Sequence, residues 1–311
     1  MTTAFIFPGQ GSQAVGMGKT LADAFPVARA VFDEVDAALS QKLSALMWEG
    51  PTEELTLTAN AQPALMAVSL AVVRVLEAEA GLDLKRDAAF VAGHSLGEYS
   101  ALAAAGTFGI GDAARLLRIR GDAMQKAVPA GQGAMAALLG ADLDLARAIA
   151  ADAAQGEVCE AANDNGGGQV VLSGAKAAID RAIALAGERG VRRAMLLPVS
   201  APFHCSLMQP AAEAMRAALA DVAMQAPVVP VMANVGAAPL SDVAAIRDSL
   251  VAQVTGTVRW REGVEAMAAA GVDRFVELGS GKVLAGLVKR IAPTATPLSV
   301  GTAEDVSAYK P

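Results

Sequence analysis

The octapeptide Val91-Ala92-Gly93-His94-Ser95-Leu96-Gly97-Glu98 limits what this chain can fold into more than any other stretch. It holds G-x-S-x-G, from Gly93 to Gly97. The apolar run Ala88 to Ala92 before it predicts a buried strand. The Ala- and Leu-rich stretch Glu98 to Ala105 after it predicts a helix, closed by Gly106. Strand, tight turn and helix form the context in which this pattern means chemistry. A serine on such a bend has its hydroxyl pushed outward. Glycines at 93 and 97 leave room for the bend, because a Cβ there would meet the neighbouring turn. The Leu96 N–H opens the helix and points where a negative oxygen would form, and the helix dipole adds to that field.

Around this elbow the chain alternates strand and helix. Ala4 to Phe7 predicts a strand ending in the loop Pro8-Gly9-Gln10-Gly11-Ser12-Gln13. In an α/β protein such a loop lies at the carboxyl edge of the sheet, where ligands bind. Helices are expected over 16–25 and 26–39. Ala61 to Ala80 is apolar nearly all round, which predicts a buried helix with Pro63 in its first turn and Gly81 at its end. Asp112 to Val128 predicts another helix, bearing Arg115, Arg118 and Arg120.

From Gly133 the pattern reads strand, helix, strand, strand, helix, strand: Gly133 to Leu139, Asp142 to Ala154, Val158 to Ala162, Gln169 to Leu172, Ala175 to Glu188 and Arg193 to Val199. That order is ferredoxin-like. The fold expected is therefore α/β: a hydrolase-like large domain with a parallel sheet and helices, formed by 1–129 and 199–311, with a ferredoxin-like α+β small domain inserted at 130–198. Beyond it, helices are expected over 206–220, 244–253 and up to Ala270, with strands over 228–232 and 273–278. Gly279-Ser280-Gly281-Lys282 then leads into the helix Val283 to Ile291. This turn lacks P-loop spacing and suits a helix N-cap better. The last nine residues are polar and are expected to form a loose tail.

Composition narrows the function. The 311 residues are 54% hydrophobic and 18% charged, enough for one large domain or two unequal ones. A net charge of −7 argues against nucleic-acid binding. No stretch of eighteen apolar residues and no basic leader is apparent, so neither a membrane span nor a signal peptide is expected. Cys159 and Cys205 are far apart in sequence, which suits a reducing cytoplasm. With only two histidines and two cysteines, no metal site is expected.

A serine hydroxyl needs a base, and histidine is the natural one. His94 neighbours Ser95, and adjacent side chains on an extended segment point to opposite faces. It is badly placed to take the proton, although it can line a pocket. His204, in the loop where the chain re-enters the large domain, is left as the base. A carboxylate normally orients such an imidazole, but composition does not choose among the aspartates. An arginine in a pocket could hold a carboxylate by a two-pronged hydrogen bond. By pattern alone, however, Arg115, Arg118 and Arg120 are solvated helix residues.

These residues resemble a known family. Phe7-Pro8-Gly9-Gln10-Gly11-Ser12-Gln13, Gly93 to Ser100, Arg120-Gly121, Val199-Ser200-Ala201-Pro202-Phe203-His204 and Gly281-Lys282-Val283-Leu284 are similar to the malonyl-CoA:acyl-carrier-protein transacylases, in family order, from residue 4 to about residue 292. The resemblance implies that Ser95 attacks the thioester of malonyl-CoA and that His204 takes its proton. The N–H groups of Gln10 and Leu96 would form the oxyanion hole, and Arg120 would pair with the malonyl carboxylate. It further implies that the backbone carbonyl of Gln253 orients His204, and it places Asn163 on the small-domain side of the cleft. Phe203 would crowd an α-methyl branch, and His94 would line the pocket. The acceptor would be the phosphopantetheine thiol of acyl carrier protein, in fatty acid synthesis, with no cofactor, in a cytoplasmic monomer. Carrier proteins are acidic, so docking would need a local basic patch; Arg189, Arg192 and Arg193, or Lys282, Lys289 and Arg290, are candidates. Alternatives are a serine acyl hydrolase, an acyltransferase of a polyketide or malonate decarboxylase system, and an inactive carrier-binding module.

Overall fold

The computed structural model describes residues 1–199 and 201–310. Ser200, part of a motif quoted above, and Pro311 lie outside the described residues. The N-terminal strand β1 (Thr3–Phe7) is buried at every position. Five helices follow: α1 (Lys19–Ala24), α2 (Pro26–Leu39), α3 (Leu43–Glu49), α4 (Thr52–Thr56) and α5 (Thr58–Ala80). Then come α6 (Leu84–Asp87), β2 (Phe90–Gly93), α7 (Gly97–Ala104) and α8 (Ile110–Ala127).

α5 is long and apolar enough to cross a membrane by length and composition, but 94% of its apolar window is buried inside the fold. It is the helix about which the large core assembles, packed against α8 and α2. Apolar character all round is what a helix covered on every side requires. It begins one turn earlier than expected, so Pro63 is inside the helix and not in its first turn. The Leu57 carbonyl, which accepts from the N–H groups of Asn60 and Ala61, starts that extra turn.

The second sheet is drawn wholly from the middle of the chain. Its elements are β3 (Gly133–Leu139), α9 (Leu143–Ala154), β4 (Cys159–Asp164), β5 (Gln169–Ala175), α10 (Lys176–Glu188) and β6 (Arg193–Leu196). Strand order is β4-β5-β3-β6, and every pairing is antiparallel, the arrangement of a ferredoxin-like unit. Asp142 caps α9, its side chain accepting from the Leu145 N–H at 2.8 Å. β4 runs two residues further than expected, through a bulge between Ala161 and Asn163. Asn163 is therefore a strand residue, where a loop was expected. Bulges re-aim side chains, and this one lies beside the cleft.

The chain then returns through α11 (Gln209–Asp221), β7 (Val231–Met232), β8 (Pro239–Leu240), α12 (Val243–Thr255), α13 (Trp260–Ala269), β9 (Arg274–Leu278), α14 (Val283–Ile291), β10 (Thr296–Val300) and α15 (Ala303–Ala308). The large sheet has the order β10-β9-β1-β2-β7-β8, parallel except for the β7–β8 pair. At the C-terminus the loose tail expected for the last nine residues is not found, and a strand for which no expectation was stated is added. Residues 296–300 form an edge strand, and the polar tail is a docked helix. Thr302 and Asp305 make a capping box for α15, and Tyr309 is buried beneath the Arg274 guanidinium. At α14 the turn supplies the N-cap residue, Lys282, as expected. No side chain from 279–282 caps the helix; Glu277 of β9 accepts from the N–H groups of Leu284 and Ala285 at 3.1 and 2.8 Å. The site for an anion at that helix start is filled by the protein's own carboxylate.

Candidate active site

The carboxyl ends of β1 and β2 open onto the cleft, and the elbow closes β2. A Cβ on Gly93 would fall 1.9 Å from the Gly97 carbonyl, and one on Gly97 would fall 2.3 Å from the Phe7 oxygen. Both positions exclude any side chain because backbone passes there. Ser95, between them, adopts φ 53°, a left-handed conformation rare for a residue with a Cβ. Three contacts hold it there. The Ser95 N–H donates to Asn234 Oδ1 at 2.7 Å, Asn234 Nδ2 donates to the Gly93 carbonyl at 2.7 Å, and Gln253 Nε2 donates to the Ser95 carbonyl at 3.0 Å. A strained backbone persists only where its surroundings over-determine it.

The Ser95 hydroxyl lies 2.7 Å from His204 Nε2. His204 is itself at φ 57°, and its Nδ1 lies 2.8 Å from the Gln253 carbonyl. A carbonyl can only accept, so Nδ1 carries the proton and Nε2 is left to accept from Ser95. Burial, and then the charge of Arg120, push the imidazole pKa down to about 3. It is a neutral base across the physiological range. His94, by contrast, turns its Nε2 to Asn165 Oδ1 at 2.9 Å and sets its ring against Trp260.

Arg120 projects from α8 and is 1% exposed. It is not the solvated residue that pattern alone suggested. Gly121 brings α8 against the start of α5, where an added Cβ would lie 2.6 Å from the Ala59 Cα. At that distance Gln62 Oε1 accepts from Arg120 Nη1 at 2.9 Å. Arg120 Nη2 donates to Gln253 Oε1 at 2.8 Å and to the Ser95 hydroxyl at 3.1 Å. The guanidinium also lies over the Tyr99 ring, and its Nε has no partner among the described residues. Each of these partners is neutral. Arg118 differs: half-buried, it donates to Asn60 and Gln41 outside the site.

A cavity of about 390 Å³ joins these groups, lined among others by Gln10, His94, Ser95, Leu96, Arg120, Asn163, Phe203 and His204. Gln253 acts from behind it. The N–H groups of Gln10 and Leu96 donate to no protein acceptor among the described residues. Phe203, with Met135, Leu197 and Val199, forms an apolar wall. A second cavity of about 360 Å³ shares Gln10, His94 and Asn163 and extends to Val283 and Arg290. Of the two basic clusters, Arg189 pairs with Asp152, while Arg290 donates to Gln169 at 3.0 Å.

Sequence reasoning passed over Gln62, Glu98, Asn165 and Asn234. Only Glu98 carried a local sign, since it directly follows the serine motif. Cys159 and Cys205 are buried free thiols, each raised to about 11 by burial.

Known proteins resemble this chain over nearly its whole length. A family model described as an acyl transferase domain matches residues 4–303. The malonyl CoA-acyl carrier protein transacylase of Escherichia coli (strain K12) is 47% identical over 293 residues, 94% of either chain. The crystal structure of acyl-carrier-protein-S-malonyltransferase from Bartonella henselae is 58% identical, with a TM-score of 0.97, covering 99% of this chain and 98% of that one. A malonyl-transacylase solved in complex with a type II polyketide acyl-carrier protein is 41% identical, with a TM-score of 0.95, covering 99% and 98%.

Proposed function

Because the chain belongs to the acyl transferase domain family, we propose that the Ser95 cleft moves a malonyl group from malonyl-CoA to the phosphopantetheine thiol of an acyl carrier protein, supplying fatty acid synthesis. The observation that carries the choice of acyl group is Arg120: a buried guanidinium with neutral partners, 3.1 Å from the hydroxyl that would become acylated. A carboxylate entering a desolvated cleft is costly unless paired, and a guanidinium pairs it with two parallel hydrogen bonds. An acetyl group gains nothing from it.

The reaction follows from the distances. His204 Nε2 removes the Ser95 proton as Oγ attacks the thioester carbonyl. The negative oxygen forms between the N–H groups of Gln10 and Leu96, aided by the start of α7. The Gln253 carbonyl holds the imidazolium that results. Collapse breaks the C–S bond, and His204 returns the proton to the CoA thiolate. The carrier-protein thiol then repeats the sequence against malonyl-Ser95, restoring the hydroxyl. Each step uses only side chains and backbone groups of this chain. We assign the protein to the cytoplasm as a monomer, with Phe203 limiting branched acyl groups.

The test is intact-protein mass after mixing with malonyl-CoA, for wild type and Ser95→Ala, followed by pantetheinylated carrier protein. A malonyl adduct on wild type alone that then moves to the carrier protein is the expected result. An adduct lost equally fast without the carrier would mean a hydrolase.

A further inference from the structure

Glu98 is a carboxylate enclosed beside the site, and no step above uses it. It stands on α7 three residues after Ser95 and is 1% exposed. Its Oε2 accepts from Gln253 Nε2 at 2.7 Å and from the Asn234 N–H at 3.1 Å. The Gln253 amide continues the contact at its other end, where Oε1 accepts from Arg120 Nη2 at 2.8 Å. One amide thus joins a buried anion to a buried cation, with its dipole aligned between them. Asp164 and Arg261 show the other solution, a direct ion pair at 2.9 Å. Arg120 makes no such direct pair among the described residues; its partners Gln62, Gln253 and Ser95 are neutral, so no protein carboxylate is in contact with its charge.

We propose that Glu98 is the resting counter-charge of Arg120, and that the malonyl carboxylate takes over that role on binding while Glu98 takes up one proton from solvent. The inference rests on Arg120 being the malonyl partner. Two carboxylates around one guanidinium in a dry site disfavour each other's ionised forms. The malonyl group, in direct contact, keeps its charge; Glu98, one amide further away, is the group that protonates. Its carboxyl is already poised for this. Burial lifts it to about 7, against the opposing effects of Gln253, Asn234 and Arg120.

Burial acts most strongly on Glu98, and of the groups that face it Arg120 is the cation. Gln253 of α12 and Asn234, after β7, are neutral. Tyr99 of α7 is kept neutral by burial, and His204 is held neutral by burial and Arg120. A proton taken up on binding means that malonyl affinity falls as pH rises above the Glu98 range, by at most about tenfold per pH unit. Acetyl affinity carries no such dependence.

The experiment uses the full-length Ser95→Ala protein, which binds without reacting. Malonyl-CoA and acetyl-CoA are titrated calorimetrically at pH 7.5 in two buffers of different ionisation enthalpy. Protons bound by the CoA phosphates are common to both ligands and cancel. Malonyl-CoA should take up more protons than acetyl-CoA, by a fraction of one, and Glu98→Gln should abolish the difference. His204 is the other group whose proton affinity would rise. The difference should therefore persist when His204→Ala is added, a control that decides the matter even if Glu98→Gln does not fold. Equal uptake with malonyl still preferred would overturn the exchange and leave the Arg120 assignment standing, as would a difference that vanishes with His204. No preference for malonyl over acetyl would overturn the assignment itself.

Discussion

The two walls of the cleft are built on different physics. On the large-sheet wall, Ser95, Glu98, Arg120, Asn234 and Gln253 form one buried hydrogen-bonded network. On the other wall, Met135, Leu197, Val199 and Phe203 offer apolar surface, with Asn163 among them. A polar network in a low-dielectric interior is strong when satisfied and costly when broken, so it fixes atoms in place. Apolar contacts are non-directional and set shape. Under the proposed function, chemistry belongs to the first wall and discrimination by size to the second.

If that division is right, the largest losses come from the networked wall. Arg120→Ala should cut malonyl transfer by roughly two to three orders of magnitude, the cost of losing a charge-assisted partner in a buried site. Acetyl transfer should be spared or raised. Equal losses on both substrates, measured as kcat/KM, would make Arg120 a structural member of the network.

The next effect is one of pH. An ordinary imidazole of pKa 6.5 would lose roughly thirtyfold as a base by pH 5. His204 is depressed to about 3 by burial and Arg120, so its basic form is complete well below that pH. The kcat/KM for malonyl-CoA should stay within about twofold between pH 7 and pH 5. An acid limb near 6.5 would show that the site is wetter than its geometry implies. The stability linkage has the matching sign: the folded state binds fewer protons at His204 than the unfolded state between about 3 and 6.5, so this group destabilises the fold as pH falls through that window.

Smaller effects probe the shaping wall. Phe203→Ser should raise methylmalonyl turnover relative to malonyl by about tenfold, the worth of one methyl group in an apolar pocket. An unchanged ratio would remove Phe203 from the specificity wall. Asn163→Ala should cost least, about 1 kcal/mol or less in kcat/KM, since it lines the cavity without joining the network. A loss as large as that of Arg120→Ala would erase the distinction between the walls.

The elbow was legible because its cause is local. Two glycines within five residues, a strand before and a helix after, force the bend, and the 1.9 Å approach at Gly93 is that same constraint in space. The ferredoxin-like order of 133–196 was legible for a related reason: each strand and helix carries its own period. Signals failed where partners are distant. Pro63 marked a helix start that the Leu57 carbonyl had already made. The polar tail resembled loose chain because the surface receiving Tyr309 is contributed by β9. Arg120 sits in a helix with two partly exposed arginines, and only packing against α5 separates it from them.

By itself, then, the sequence determined most of the longer elements, the elbow that presents Ser95, and the choice of His204 over His94 by scarcity and direction. The resemblance of its motifs supplied roles for Arg120 and Gln253. Only the tertiary structure decided that Gln253 serves twice, its carbonyl holding His204 and its amide linking Glu98 to Arg120. The contacts that do this join residues 49, 133 and 155 positions apart. Backbone preferences act over a few neighbours, whereas a buried hydrogen bond is specified by whichever groups the folded core brings within about 3 Å.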